Sequence, residues 1–160
     1  NFENYHELVD CYASAKTPYM IMGIVFKNKK GLRTKVRNPN YEKVRKLKGN
    51  QANLLYHYLE LRQNNDVQNY LNYYEEHINE FHEFKTSIDQ FIMNLYNRYV
   101  SCYILKEKPL KQFEFAYRSH MYHLHELFRS SNKKTTINVV RRYFLNLHPA
   151  QQTFSLNHLR

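Results

Sequence analysis

The spacing of apolar residues along the chain changes once, near residue 50. Before that point it is two. Leu32, Thr34 and Val36 alternate with Arg33, Lys35 and Arg37, which puts three cations on one face of a strand and three apolar or small groups on the other. Residues 19–26, YMIMGIVF, are β-branched and aromatic enough to predict a partner strand. Residues 28–31 predict the turn between them, with Gly31 free to take a positive φ. Asn38 and Pro39 stop the second strand, and an isolated ribbon of this kind is marginal in water, so it is expected to pack on the helices or to be only partly ordered. Residues 1–16 predict a short helix that Thr17 and Pro18 break.

Beyond residue 50 the apolar positions recur at three and four, the period of a helix face. Leu54, Leu55, Tyr58 and Leu61 mark one helix. Asp66 is placed to cap a second, with the stripe Val67, Tyr70, Leu71, Tyr74, Ile78 and Phe81. A third stripe runs Phe84, Ile88, Phe91, Ile92, Leu95, Tyr99 and Tyr103. Pro109 starts a fourth, carrying Phe113, Tyr117, Leu124, Leu127 and Phe128, and residues 136–147 form the last, with Ile137, Val140, Phe144 and Leu147. Pro149 is expected to end it and leave a polar tail. No Gly or Pro falls between Asn50 and Lys108, so the helices are long and their joints tight. The predicted fold is mainly α: a bundle of about five helices preceded by a short antiparallel β-hairpin remnant, with domains at residues 1–48 and 49–160.

The length of 160 residues and the apolar content of 42% fit one compact domain, or a small remnant joined to one, with a real core. No run approaches the roughly 18 apolar residues of a membrane span, so no membrane partner is expected. The N-terminus, NFENYHELVD, has neither an initiator Met nor a signal-peptide pattern, and an excised fragment is the expectation. Cys11 and Cys102 provide no disulfide framework and no zinc quartet, which points to a reducing compartment. The expected location is the cytoplasm.

Charge sharpens the picture. Residues 27–48 hold ten Lys/Arg against Glu42 alone, +9 of the chain's net +10. Cations packed this densely beside a hairpin argue for a polyanionic partner, RNA first. Lys43, Arg45, Lys46 and Lys48, in NYEKVRKLKGN, are candidate contacts to an RNA backbone, the alternative being a solvated helix face. Arg141 and Arg142, with Arg118, Arg129 and neighbouring histidines, are candidates for a second RNA surface.

At the hairpin the sequence resembles the covalent nucleotidyltransferases: ATP-dependent RNA and DNA ligases and capping enzymes, the RNA ligases of phage and large-virus type above all. The pattern there is hydrophobic–Glu–Gly–x–Val, a short gap, then Lys–x–Lys. Here it reads Ile21-Met22-Gly23-Ile24-Val25-Phe26, then Lys35-Val36-Arg37, with Tyr41 following. The resemblance covers about 25 residues at motif level, and the helices share only the family's architecture. It implies a nucleotide pocket end at Gly23, with Lys35 and Arg37 on the α-phosphate of ATP, Mg²⁺ as cofactor in the intact parent, and RNA strand joining as the parent's activity. Two residues depart from the pattern. Met22 stands where the family has the Glu that helps hold the metal, and a thioether cannot replace a carboxylate toward a hard cation. Arg37 keeps the charge of the second Lys but not its geometry. The family's nucleophile sits in Lys–x–Asp/Asn–Gly, which this chain lacks. It therefore has no catalytic residue to nominate, requires no cofactor of its own, and is not expected to form a lysyl-adenylate alone.

Two further features invite chemistry. His120, His123 and His125 lie close in sequence, but only the first two share a helix face and no Cys or carboxylate sits at zinc-site spacing, so an ordinary polar face is the expectation and no metal ligand is assigned. The fifteen tyrosines could stack bases, yet at helical spacing they are expected in the core, with Tyr56 and Tyr73 as exposed exceptions. The competing functional classes are thus the C-terminal part of an RNA ligase-like protein, a non-catalytic RNA-binding module from a degenerate ligase, and a structural helical protein that dimerises through its tyrosine stripes.

Overall fold

The computed structural model describes residues 4–158, and it is mainly helical with a single two-stranded antiparallel sheet near the start of the chain. The chain divides into two compact units. The first runs to Gln51 and takes in Gln68–Tyr73. The second comprises Ala52–Val67 and everything from Tyr74 on.

The first unit begins with helix α1 (Tyr5–Tyr12), whose N-cap Asn4 accepts from the Glu7 amide at 3.0 Å. Strands β1 (Gly23–Lys27) and β2 (Arg33–Arg37) follow, in the register Gly23↔Arg37, Val25↔Lys35, Lys27↔Arg33 on one face and Ile24↔Val36, Phe26↔Thr34 on the other. The turn is as the sequence predicts, with Gly31 at φ 85° and its amide bonded to Asn28 O at 3.0 Å. The apolar face is covered within the unit, since Tyr5 of α1 lies on Phe26 with ring centroids 5.1 Å apart. A two-stranded ribbon needs such a third layer. Leu32, expected on this face, is in the turn and 69% exposed. Residues 19–22, expected as strand, are not strand. The Ile21 amide bonds back to Pro18 O, and Ile21 O is taken by the Asn38 side chain, so neither is left for a ladder. After β2 comes helix α2 (Pro39–Lys48), ended by Gly49 at φ 62°.

The second unit is the helical bundle. Its five main helices are α3 (Leu54–Gln63), α5 (Ile78–Tyr99), α6 (Phe115–Ser131), α7 (Ile137–Leu145) and α8 (Pro149–Asn157). α5 is the central element, burying Phe81, Ile88, Phe91, Ile92, Leu95 and Tyr99 along one stripe. Phe91 stacks on Tyr117 of α6 at 4.8 Å and meets Phe144 of α7 at 4.5 Å. The tyrosines at helical spacing are core as expected, with Tyr58, Tyr99 and Tyr117 at most 5% exposed. Tyr56 and Tyr73, expected outside, are half-buried, and the well-exposed ones include Tyr5 and Tyr122.

Three joints differ from the predicted pattern. Pro109 leads only into a 3₁₀ turn, Leu110–Gln112; Phe113 is extended, and the fourth predicted helix starts at Phe115 as α6. The stripe from Val67 to Phe81 is not one helix. α4 (Val67–Leu71) is short, Tyr74 at φ −131° and ψ 61° leaves helical space, and a 3₁₀ turn at Glu75–His77 leads into α5. Tyr70 and Leu71 of the stripe fall in the first unit, within which the neighbouring Tyr73 lies edge-on to Tyr19 at 5.1 Å. Pro149 does not end structure but begins α8: it sits at the first helical position, where its missing N–H costs nothing, and His148 caps it in a reciprocal box with Gln151. The expected polar tail is instead half-buried helix. Fully buried Gln152 donates to Leu147 O at 2.6 Å and accepts from Arg62 at 3.0 Å, closing the C-terminal end of α7.

Candidate nucleic-acid interface

The site is built on one amide-rich corner. Asn38, fully buried, is the N-cap of α2: its Oδ1 accepts from the Asn40 amide at 2.9 Å. Its two Nδ2 protons go to Pro18 O at 2.8 Å and Ile21 O at 2.9 Å. Asn40 repeats the device, donating to Ala15 O and Thr17 O at 2.8 Å each. Four amide protons thus serve four carbonyls of residues 15–21, a segment outside any ladder or helix where, of the four, Pro18 O also has a backbone donor, the Ile21 amide. The Asn38 amide also bonds Met22 O at 3.2 Å. This draws the chain so close at Gly23 (φ 129°) that a Cβ there would stand 2.3 Å from Val36 O, so only glycine fits.

The result is a fixed angle between hairpin and α2 and, in it, an open cleft of about 350 Å³. Met22, Gly23 and Val25 line it from β1 and its approach, Lys35 and Arg37 from β2, and Tyr41 and Arg45 from α2. Gly23, Lys35 and Arg37, which the ligase resemblance nominates, are therefore together. By the register, Lys27 and Arg33 continue the same cationic face. Glu42 lies beside it, 2.5 Å from Arg37 and 3.6 Å from Arg45. The Arg37 guanidinium, helped by Arg45, holds its carboxyl below the usual glutamate range, so Glu42 stays ionised and orients both arginines. Both remain accessible, at 42% and 55% side-chain exposure. Lys35 has no carboxylate partner among the described residues. Three cations against one shared carboxylate leave the cleft positive, and the guanidiniums keep N–H groups to spare for an anion.

The remaining nominated residues do not converge. Of the basic run on α2, only Arg45 lines the cleft, one turn from Tyr41. Lys43 and Lys46 are exposed but turned roughly 200° and 140° around the helix from Tyr41, and Lys48 is an exposed residue of the last turn. Arg141 and Arg142 belong to the second unit. Arg141 is already joined to Asp89, and Arg142 stands at a separate groove. His120 is not on a polar face. It is buried, with Nδ1 3.0 Å from the Tyr143 hydroxyl and Nε2 2.8 Å from Ser155 Oγ. Ser155 gives its own proton to Gln151 O, so it accepts from Nε2–H and Tyr143 donates to Nδ1: the neutral ring is the one this pocket holds. Burial accordingly pushes His120 down to about 4 and Tyr143 up to about 12. His123 is exposed and bonded to Ser119 O, while His125 stacks on Tyr103 at 4.0 Å.

The resemblance implies ATP and Mg²⁺, and the residues fit them unequally. The cations suit a phosphate. The donor set does not suit a divalent ion: no carboxylate lines the cleft, the position of the family's Glu is Met22, 62% exposed, and Glu42 is engaged by two arginines. Among the described residues no group of three or more His, Cys, Asp or Glu could hold a metal ion. Asn38 and Asn40 are the functional residues that sequence reasoning missed. The only signal was Asn-Pro-Asn, which reads equally as a strand stop and as an N-cap with Pro at the first helical position. None of the helices among the described residues is long and apolar enough to cross a membrane. Compared with protein-family models, with curated proteins and with solved structures, the chain finds no match.

Proposed function

We propose that this chain is an RNA-binding module of RNA ligase-like descent that holds RNA phosphates and does not itself transfer adenylate. The observation that carries this reading is the cleft between hairpin and α2, where Lys35, Arg37 and Arg45 converge with Tyr41 beside them. Consecutive phosphates lie along the cationic strip Lys27, Arg33, Lys35 and Arg37, and the Tyr41 ring offers a surface for a base. Met22 in place of a carboxylate, together with the absence of Lys–x–Asp/Asn–Gly from the chain, favours holding over catalysis.

Fluorescence anisotropy of a labelled single-stranded RNA with the whole chain tests this. The double variant Lys35→Glu/Arg45→Glu is expected to bind at least tenfold more weakly at fixed salt, since each charge-assisted contact is worth about 1.5 kcal/mol or more. Undiminished binding would reject the cleft as the RNA site.

A further inference from the structure

In the helical unit, a groove of about 410 Å³ runs between the last turns of α6 and the outer side of α7. Val139, Arg142, Tyr143 and Asn146 reach it from α7, three or four positions apart and so on one face. Val140 and Phe144, on the other face, are fully buried in the core. α7 therefore presents a second, mixed face outside the core, with Val139 and the Tyr143 ring flanked by Arg142 and Asn146. Across the groove stand Phe128 and Leu127, the latter 48% exposed.

Three hydroxyls of the walls have given their protons to partners within the protein. Ser131 Oγ donates to Leu127 O at 2.6 Å, Thr135 Oγ1 to the Tyr99 hydroxyl at 3.1 Å, and the Tyr143 hydroxyl is bonded to His120. The charge of the lining lies in two exposed cations, Lys133 and Arg142, with the exposed Asn146 amide as its neutral polar group. Neither cation makes an ion pair among the described residues. An apolar trough whose lining carries two cations without an ion pair among the described residues matches an anion with an apolar body.

We propose that this groove binds a medium-chain carboxylate, its chain against Leu127, Phe128 and Val139 and its headgroup on Arg142 and Lys133. The proposal is independent of the RNA reading of the first unit. Calorimetric titration of the whole chain with decanoate, below its micelle-forming range, is expected to show saturable binding. Arg142→Glu with Lys133→Glu, both surface changes, is expected to weaken it about tenfold or more with helical circular dichroism unchanged. Val139→Trp, which fills the trough without altering charge, is expected to abolish it. Decanol and decyltrimethylammonium, neutral and cationic counterparts, are expected to bind several times more weakly. The proposal is overturned if decanoate fails to saturate, if the charge-reversed or filled groove binds it as tightly as the native one, if decyltrimethylammonium binds equally well, or if adenosine monophosphate occupies the groove while decanoate does not.

Discussion

Asn38 should be worth far more than a helix cap. Asn38→Ala removes the cap on α2, about 1 kcal/mol. It also removes the side-chain donor of Ile21 O, paired at 2.9 Å, and one of the two donors of Pro18 O, which keeps the Ile21 amide, inside a corner where Asn38 itself is fully buried. At about 1 kcal/mol of net contribution per bond, the total is about 3 kcal/mol. Asn38→Asp separates the two roles. Aspartate caps a helix as well as asparagine does, but it has no proton for either carbonyl and brings a carboxylate against both oxygens. Its cost is therefore expected to equal or exceed that of Ala. Native-state hydrogen exchange on the whole chain reads this directly: protection of the α2 amides, such as Glu42 N–H to Asn38 O at 3.1 Å, should fall roughly a hundredfold in both variants. An Asp variant that exchanges like the native chain would show that the cap alone matters and that the two carbonyl bonds of Asn38 contribute nothing.

Other perturbations follow from the same geometry. Gly23→Ala should destabilise the first unit by on the order of 2 kcal/mol or more, because φ 129° and a Cβ 2.3 Å from Val36 O cannot both be kept; urea unfolding of the two forms measures it, and equal midpoints would contradict the close approach. His120 titrates at about 4 when folded against about 6.5 when unfolded, so the unfolded chain binds more protons between those values. Stability is then full above about pH 6.5 and is lost as the pH falls toward 4, by up to about 3 kcal/mol; denaturation at stepped pH should show this slope in the native chain and not in His120→Gln, and parallel profiles would refute the buried neutral ring. Incubation with α-labelled ATP and Mg²⁺ should leave no label on the denatured chain, and retained label would reveal a nucleophile outside the family's motif.

How far the sequence could be read depended on how local the cause was. The α5 stripe was legible because Phe81, Ile88, Phe91, Ile92 and Leu95 are buried on one side of one helix, and periodicity reports that directly. The break at Tyr74 was not, because Val67–Phe81 keeps a helical spacing although Gln68–Tyr73 belongs to the first unit and the residues on either side to the second. α8 was missed because Pro149 stops one helix and starts the next with the same ring, and the deciding partner is the side chain of His148. At the site, Gly23, Lys35 and Arg37 were nominated by motif and share one cleft. Lys43 and Lys46 were nominated by charge density, which does not say which way a helix turns them. The Asn38 and Asn40 lock was invisible because its acceptors lie 17 to 25 residues upstream, and no spacing rule connects an amide to a carbonyl at that distance.

The most direct test of the central claim is the salt dependence of single-stranded RNA binding by the native chain and by Lys35→Ala/Arg45→Ala. Each phosphate contact on a single strand contributes about 0.7 to the slope of log affinity against log salt. If Lys35 and Arg45 each hold a phosphate, the native slope should be steep and the double variant's shallower by about 1.4. Equal slopes in the two proteins, or an affinity indifferent to salt, would contradict a phosphate-binding cleft.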